Sequence, residues 1–145
     1  MFSLVQPFLC AYNIVMNRND KEKINGLIRK AQRDKHILAV FLYGSVAREE
    51  EHNQSDIDVC LVLNPARYPP KEISQKKLEY LKLFELDVHV FQQLPVYIRT
   101  RVLKEGKILF CRDEGELYEL AFVVIREWAD FEHIYREYLE EVARG

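Results

Sequence analysis

The sequence predicts a single α/β (α+β) domain, in which short apolar strands alternate with amphipathic helices and the chain closes on a long C-terminal helix. Three observations carry this expectation. Ile37-Leu38-Ala39-Val40-Phe41-Leu42-Tyr43 is an unbroken apolar run of strand length, the pattern of a strand buried on both faces. Leu86–Phe91 alternates, with Leu86, Val88 and Val90 on one face and Asp87, His89 and Phe91 on the other. Leu117, Leu120, Val124, Trp128, Phe131, Tyr135 and Tyr138 recur at helical spacing and predict one apolar stripe facing the core. The 145 residues suffice for one core and not for two.

The elements follow in order. Asn19 with Glu22 forms a capping-box pattern ahead of a helix to Arg33, with Ile24, Leu27, Ile28 and Ala31 inward. Strand Ile37–Tyr43 is followed by Gly44-Ser45, and Ser45–Arg48 begins a short helix. Glu49–Ser55 is a polar, acidic loop, and Ile57–Leu63 is the second strand. Asn64-Pro65 and Pro69-Pro70 mark a turn. Lys71–Leu83 reads as a helix whose lysines, Lys71, Lys76, Lys77 and Lys82, form a solvated face. After the third strand, Pro95 opens a helix to Lys104 that Gly106 ends. Lys107–Cys111 is a fourth strand, and Asp113 with Glu116 caps the last helix, which runs to about Val142.

Composition narrows the function. Net charge is −2, so no global field attracts nucleic acid and no extended nucleic-acid track is expected. Cys10, Cys60 and Cys111 are scattered and odd in number, which predicts neither a disulfide framework nor a zinc site. Met1–Met16 is apolar but lacks a positively charged start and is too short to span a bilayer. The expectation is a cytoplasmic protein with no membrane partner. Residues 1–16 read as an N-terminal extension, with Met16 a candidate native start, and residues 17–145 as the domain.

The chemistry-bearing stretch is Gly44-Ser45, then ten residues, then Asp56-Ile57-Asp58. Gly44 and Ser45 stand at the carboxyl end of a buried strand, where α/β sheets place ligands. Gly44 lets a phosphate approach the backbone, and Ser45 offers a hydroxyl and an N–H at a helix start. Asp56 and Asp58, two apart on a strand, point to one face about 6–7 Å apart along it. Such carboxylates bind hard divalent cations between them. Asp87, in the next strand, adds a third acid. Three acids on adjacent strands repel one another without a cation, and two Mg²⁺ ions clamping a triphosphate account for them. Arg48 is a further phosphate candidate. Arg99, Arg101 and Lys104 line either the phosphate site or a partner surface, or are simply solvated. His89 reads as a structural histidine more readily than as a substrate contact, and Tyr43 as packing.

Leu42-Tyr43-Gly44-Ser45-Val46-Ala47-Arg48, Ser55-Asp56-Ile57-Asp58 and Leu86-Asp87-Val88 resemble the nucleotidyltransferase superfamily related to DNA polymerase β, and within it the minimal nucleotidyltransferases of prokaryotes (MNT). The resemblance covers residues 37–91, and the tail from Pro95 onward is similar as well. It implies the nucleotidyltransferase fold, a small mixed sheet flanked by helices. It implies transfer of a nucleoside monophosphate from ATP or another nucleoside triphosphate, with Asp56, Asp58 and Asp87 catalytic and metal-binding and Gly44, Ser45 and Arg48 nucleotide-binding. Many MNT proteins are antitoxins that add AMP to a tyrosine of a HEPN-domain toxin, so the resemblance implies a cognate HEPN partner. Two alternatives stand beside it: a nucleotidyltransferase acting on a small molecule or RNA end, and a non-catalytic antitoxin that blocks a toxin surface. Homo-oligomerisation through the aromatic stripe also stays open. Arg126 and His133 show the Arg-x6-His spacing of HEPN ribonucleases, but both fall beside the apolar stripe of a strand-containing chain, as expected of a solvated face.

Overall fold

The computed structural model describes residues 17–44, 57–64 and 68–145. Ser45, Arg48 and Asp56, the expected helix Ser45–Arg48, the acidic loop Glu49–Ser55 and the segment 1–16 lie outside the described residues. Helix α1 spans Arg18–Arg33, β1 Ile37–Tyr43, β2 Asp58–Leu63 and α2 Pro70–Phe84. Strand β3 spans Asp87–Val90, α3 Val96–Glu105, β4 Lys107–Cys111 and α4 Glu114–Arg144. The four strands form one mixed sheet of order β3-β2-β1-β4. Strand β1 pairs antiparallel with β2 and β4, while β2 pairs parallel with β3.

The central position of β1 explains its unbroken apolar sequence, because both of its faces are covered. Val40 and Leu42 join Val59, Leu61, Val88 and Val90 beneath α1 and α2. The α1 stripe of Ile24, Leu27, Ile28 and Ala31 is buried there, as its spacing predicts. On the other face Leu38, Ala39, Phe41, Cys60 and Val62 pack with Phe91, Val102, Leu117 and Val124 under α3 and α4. Cys60 and Cys111 are free and buried.

Helix ends are fixed by specific bonds. The cap of α1 is Asn17, two residues before the expected Asn19. Its side-chain oxygen accepts from the Asp20 N–H at 2.8 Å, which satisfies one orphan donor of the first turn. At the far end, the Arg112 guanidinium donates to the carbonyls of Ala31, Gln32, Asp34 and Ile37 at 2.8–3.1 Å. One side chain thus satisfies carbonyls that a helix end leaves unpaired and ties α1 to the end of β4. The Asp113 carboxylate accepts from the Glu116 N–H at 3.1 Å, the expected cap of α4.

Two expectations are corrected. Lys76 is not on a solvated face. It bonds Asp34 at 2.9 Å, beside a 2.9 Å bond from the Tyr80 hydroxyl to the same oxygen, and these bonds hold the Asp34 carboxyl below its usual range despite burial. The α4 stripe is core only at its start. Leu117 and Val124 are buried, whereas Phe131, Tyr135 and Tyr138 are 39%, 44% and 61% exposed. The reason is length. The 31 residues of α4 extend about 46 Å at 1.5 Å per residue, whereas the ten of α3 give it about 15 Å of helix to lie on.

Candidate active site

The register brings the chemistry to one end of the sheet. Tyr43 pairs with Asp58 and Asp58 pairs with Asp87, so three adjacent strands place these residues in one row. Two residues further along, Cys60 pairs with His89. His89 follows Asp87 by two residues and therefore shares its face. Parallel pairing of β2 with β3 makes this possible, since both strands begin at the same edge with an aspartate.

Gly44 leaves β1 with φ +82°, a left-handed conformation that costs an L-residue energy. A Cβ built there would lie 2.5 Å from Asp58 Oδ2. Glycine is thus required twice, by its backbone angle and by the carboxylate beside it.

Asp58, Asp87 and His89 form a compact cluster. His89 Nε2 lies 3.0 Å from Asp87 Oδ1 and 3.7 Å from Asp58 Oδ1. One ligand atom from each residue falls within 4.8 Å of the others. Burial raises the Asp58 pKa, and the neighbouring Asp87 raises it further against the pull of His89. Burial also pulls Asp87 upward, but its bond to Asp58, the His89 imidazole and Lys77 outweigh that and hold it low. Bonding to Asp58, and then to Asp87, raises His89 against its own desolvation. In its protonated form the imidazole would offset part of the repulsion between the two carboxylates. The Asp58 and Asp87 side chains are 27% and 52% exposed, and their oxygens suit a hard divalent cation, for which oxygen ligands are preferred over nitrogen.

Tyr43 packs its ring edge-on to His89, centroids 5.9 Å apart. Burial and the two aspartates push its hydroxyl pKa upward, so it stays neutral. Tyr43 thus packs on His89, which is paired with Asp87 and near Asp58; a partly buried structural histidine is compatible with this place beside the acids. The signal for that place was its position two residues after Asp87. Arg99 is drawn away from the site. It donates to Leu94 O at 3.0 Å and makes paired 3.3 Å bonds with Glu127 of α4. Arg101 instead lines a cleft with Tyr43, Gly44, Ile98 and Glu105.

Comparison with known proteins agrees with this geometry. Residues 23–115 match the family described as polymerase beta, nucleotidyltransferase. A protein of Methanocaldococcus jannaschii, provisionally named a protein adenylyltransferase, is 32% identical over 106 residues, covering 70% of this chain and 77% of the relative. Among solved structures, a chain of a toxin–antitoxin complex crystallised with AMP-PNP superposes with a TM-score of 0.63 at 16% identity, covering 88% of this chain and 99% of the other. A chain of a tri-AMPylated Shewanella oneidensis HEPN toxin in complex with its MNT antitoxin gives 0.59 at 16% identity, covering 86% and 96%. These two likenesses establish the fold. With the family match spanning most of the sheet and its flanking helices, this chain belongs to the polymerase β nucleotidyltransferase family and is a nucleotidyltransferase.

Proposed function

We propose that this chain is an antitoxin-type protein adenylyltransferase, moving AMP from ATP to a tyrosine hydroxyl of a HEPN-domain partner. The observation that carries the transfer chemistry is the row of Gly44, Asp58 and Asp87 across three strands at one sheet edge. Support for a protein acceptor comes from the adenylyltransferase relative of Methanocaldococcus jannaschii. The toxin–antitoxin complexes that share the fold point to a HEPN partner.

Asp58 and Asp87, with Asp56 from the preceding sequence, would hold Mg²⁺, taken as two ions. Held there, it would supply charge neutralisation for the transferring phosphate. Gly44 admits a phosphate against the backbone, and Ser45 and Arg48 complete the triphosphate contacts. The acceptor oxygen forms a bond to the α-phosphorus, the bond from that phosphorus to the bridging oxygen breaks, and pyrophosphate leaves with the electron pair. Asp87, the most exposed member of the cluster, faces the acceptor and takes its proton. His89, 3.0 Å away, fixes the orientation of that carboxylate. Tyr43 in turn fixes the imidazole.

The test is incubation with labelled ATP, Mg²⁺ and the product of the neighbouring reading frame, followed by mass spectrometry. AMP added to a tyrosine of that protein is the expected result. Label found on an RNA end or a small molecule, and none on the protein, would replace this acceptor with another. A second contribution is favoured by the exposed aromatic half of α4: inhibition by binding alone. Full neutralisation of the toxin by an inactive Asp58→Asn variant would make that contribution the principal one.

A further inference from the structure

Tyr43, Gly44, Ile98, Arg101 and Glu105 enclose a cleft of about 150 Å³. Complete small-molecule sites occupy ~300–1,000 Å³, so this space receives part of a ligand and not the whole of one. Its position identifies the part. The sheet order β3-β2-β1-β4 sets Asp87, then Asp58, then Gly44 along one edge. Helix α3 runs straight into β4, whose Lys107 pairs with Leu42 of β1, so the end of α3 carrying Arg101 lies beyond Gly44 on the side away from the carboxylates. A triphosphate whose reacting phosphorus sits at Asp58 and Asp87 and whose chain passes Gly44 ends in this cleft.

Arg101 is the cation lining it among the described residues. Its ion pair with Glu105 is long, 3.9 Å, and its side chain is 56% exposed. An exposed pair of this kind contributes little to stability, so Arg101 has no strong structural task there. Arg99, on the same helix, shows the contrast, since it is committed to Leu94 and Glu127.

We propose that Arg101 is a substrate-binding residue that grips the distal phosphates of the nucleoside triphosphate and then the departing pyrophosphate. This rests on the nucleotidyl-transfer reading above. As the bond between the α-phosphorus and the bridging oxygen breaks, charge accumulates on pyrophosphate. A planar guanidinium with forked donors suits that group. The interaction strengthens as the charge develops, so it serves the transition state more than the bound triphosphate.

The test is calorimetric binding of inorganic pyrophosphate and of AMP, with Mg²⁺ present, to the wild-type chain, Arg101→Ala, Arg101→Lys and Asp58→Asn. Arg101→Ala is expected to weaken pyrophosphate binding about 10- to 100-fold, the worth of one or two charged hydrogen bonds. AMP binding should stay within about twofold, and Arg101→Lys should fall between wild type and Ala because it keeps the charge and loses the fork. In turnover, Arg101→Ala should lower kcat for ATP more than it raises KM. Pyrophosphate binding unchanged in Arg101→Ala, or pyrophosphate and AMP weakened equally, overturns the proposal. The two readings fail differently. If Asp58→Asn loses pyrophosphate while Arg101→Ala keeps it, Arg101 alone is misassigned. If the wild-type chain binds neither pyrophosphate nor AMP and does not turn over ATP, the transfer reading falls and this one with it.

Discussion

Replacing Gly44 by alanine separates a backbone effect from a catalytic one at a single atom. The added Cβ meets Asp58 Oδ2 at 2.5 Å. Ordinary van der Waals contact begins near 3.4 Å, so the carboxylate or the strand end must retreat by about 0.9 Å, the difference of the two. The positive φ of Gly44 adds roughly 1–2 kcal/mol for a residue with a Cβ. A loss of that size lowers Tm by only several degrees in a domain of this length, since ~1 kcal/mol corresponds to about 2–8 °C. The folded state therefore persists. The catalytic effect is larger, because a misplacement of about 1 Å in a reacting constellation costs on the order of 10²-fold. The expected outcome is a Gly44→Ala protein that melts a few degrees lower and transfers AMP about a hundredfold more slowly. The assay is initial-rate transfer from labelled ATP, beside thermal melting with and without Mg²⁺. Wild-type kcat in a folded Gly44→Ala protein would refute the reasoning, because Asp58 would then tolerate the displacement.

Asp58→Asn should abolish transfer, and it should raise the melting temperature of the metal-free protein at pH 7. Burial and Asp87 lift the Asp58 pKa in the folded state, so its ionised form opposes folding as pH rises; a lower metal-free Tm in the variant would contradict this. Ser45→Ala should reduce ATP use by roughly 1.5–3 kcal/mol, one hydrogen bond to a charged group, and unchanged KM and kcat would remove Ser45 from the triphosphate site. The His89 pKa is raised on folding, so its contribution to stability is full below the unfolded value near 6.5 and is lost as pH climbs through the folded value. In EDTA, the Tm difference between wild type and His89→Gln should shrink across that interval, and a difference independent of pH would show that the imidazole packs without ionising. The double variant Arg126→Ala with His133→Ala should transfer AMP normally and the wild-type chain should cut no RNA, since Arg126 lies over the Phe122 ring at 5.7 Å and His133 pairs with exposed Glu137 at 3.3 Å; RNA cleavage abolished in the variant would move the functional centre to α4.

What the sequence made legible follows from which interactions are local. Strand β1 was readable because burial on two faces leaves an unbroken apolar run, and α1 because a single stripe repeats at helical spacing. Gly44, Asp58 and Asp87 were readable as types, since a tight turn and a crowded acidic row admit few alternatives. The contacts of His89 were not, because they depend on the parallel register of β2 with β3 and on the Tyr43 ring arriving from β1. Neither is encoded near residue 89. The same holds for Lys76, whose partner Asp34 lies 42 positions away, and for Arg112, which caps a helix some 80 positions earlier.

The last helix shows the opposite limit. Its periodicity marks one apolar face along the whole length, and the structure covers only the start of it. Periodicity reports that a face is apolar; it does not report how far the partner helix reaches. Past Trp128 the stripe continues through Phe131, Tyr135, Tyr138 and Val142, which are 39–61% exposed. The aromatic rings there contact one another along the helix, Trp128 tilted against Phe131 at 5.8 Å and Phe131 stacked on Tyr135 at 5.7 Å. Aromatic area of this kind is enriched where proteins meet. In the proposed reading the acidic edge carries the transfer and the exposed half of α4 meets the partner. The acidic residue types at the edge were legible because its chemistry restricts them; for the stripe of α4 the sequence left core and interface both open, because periodicity does not say how far the covering elements reach.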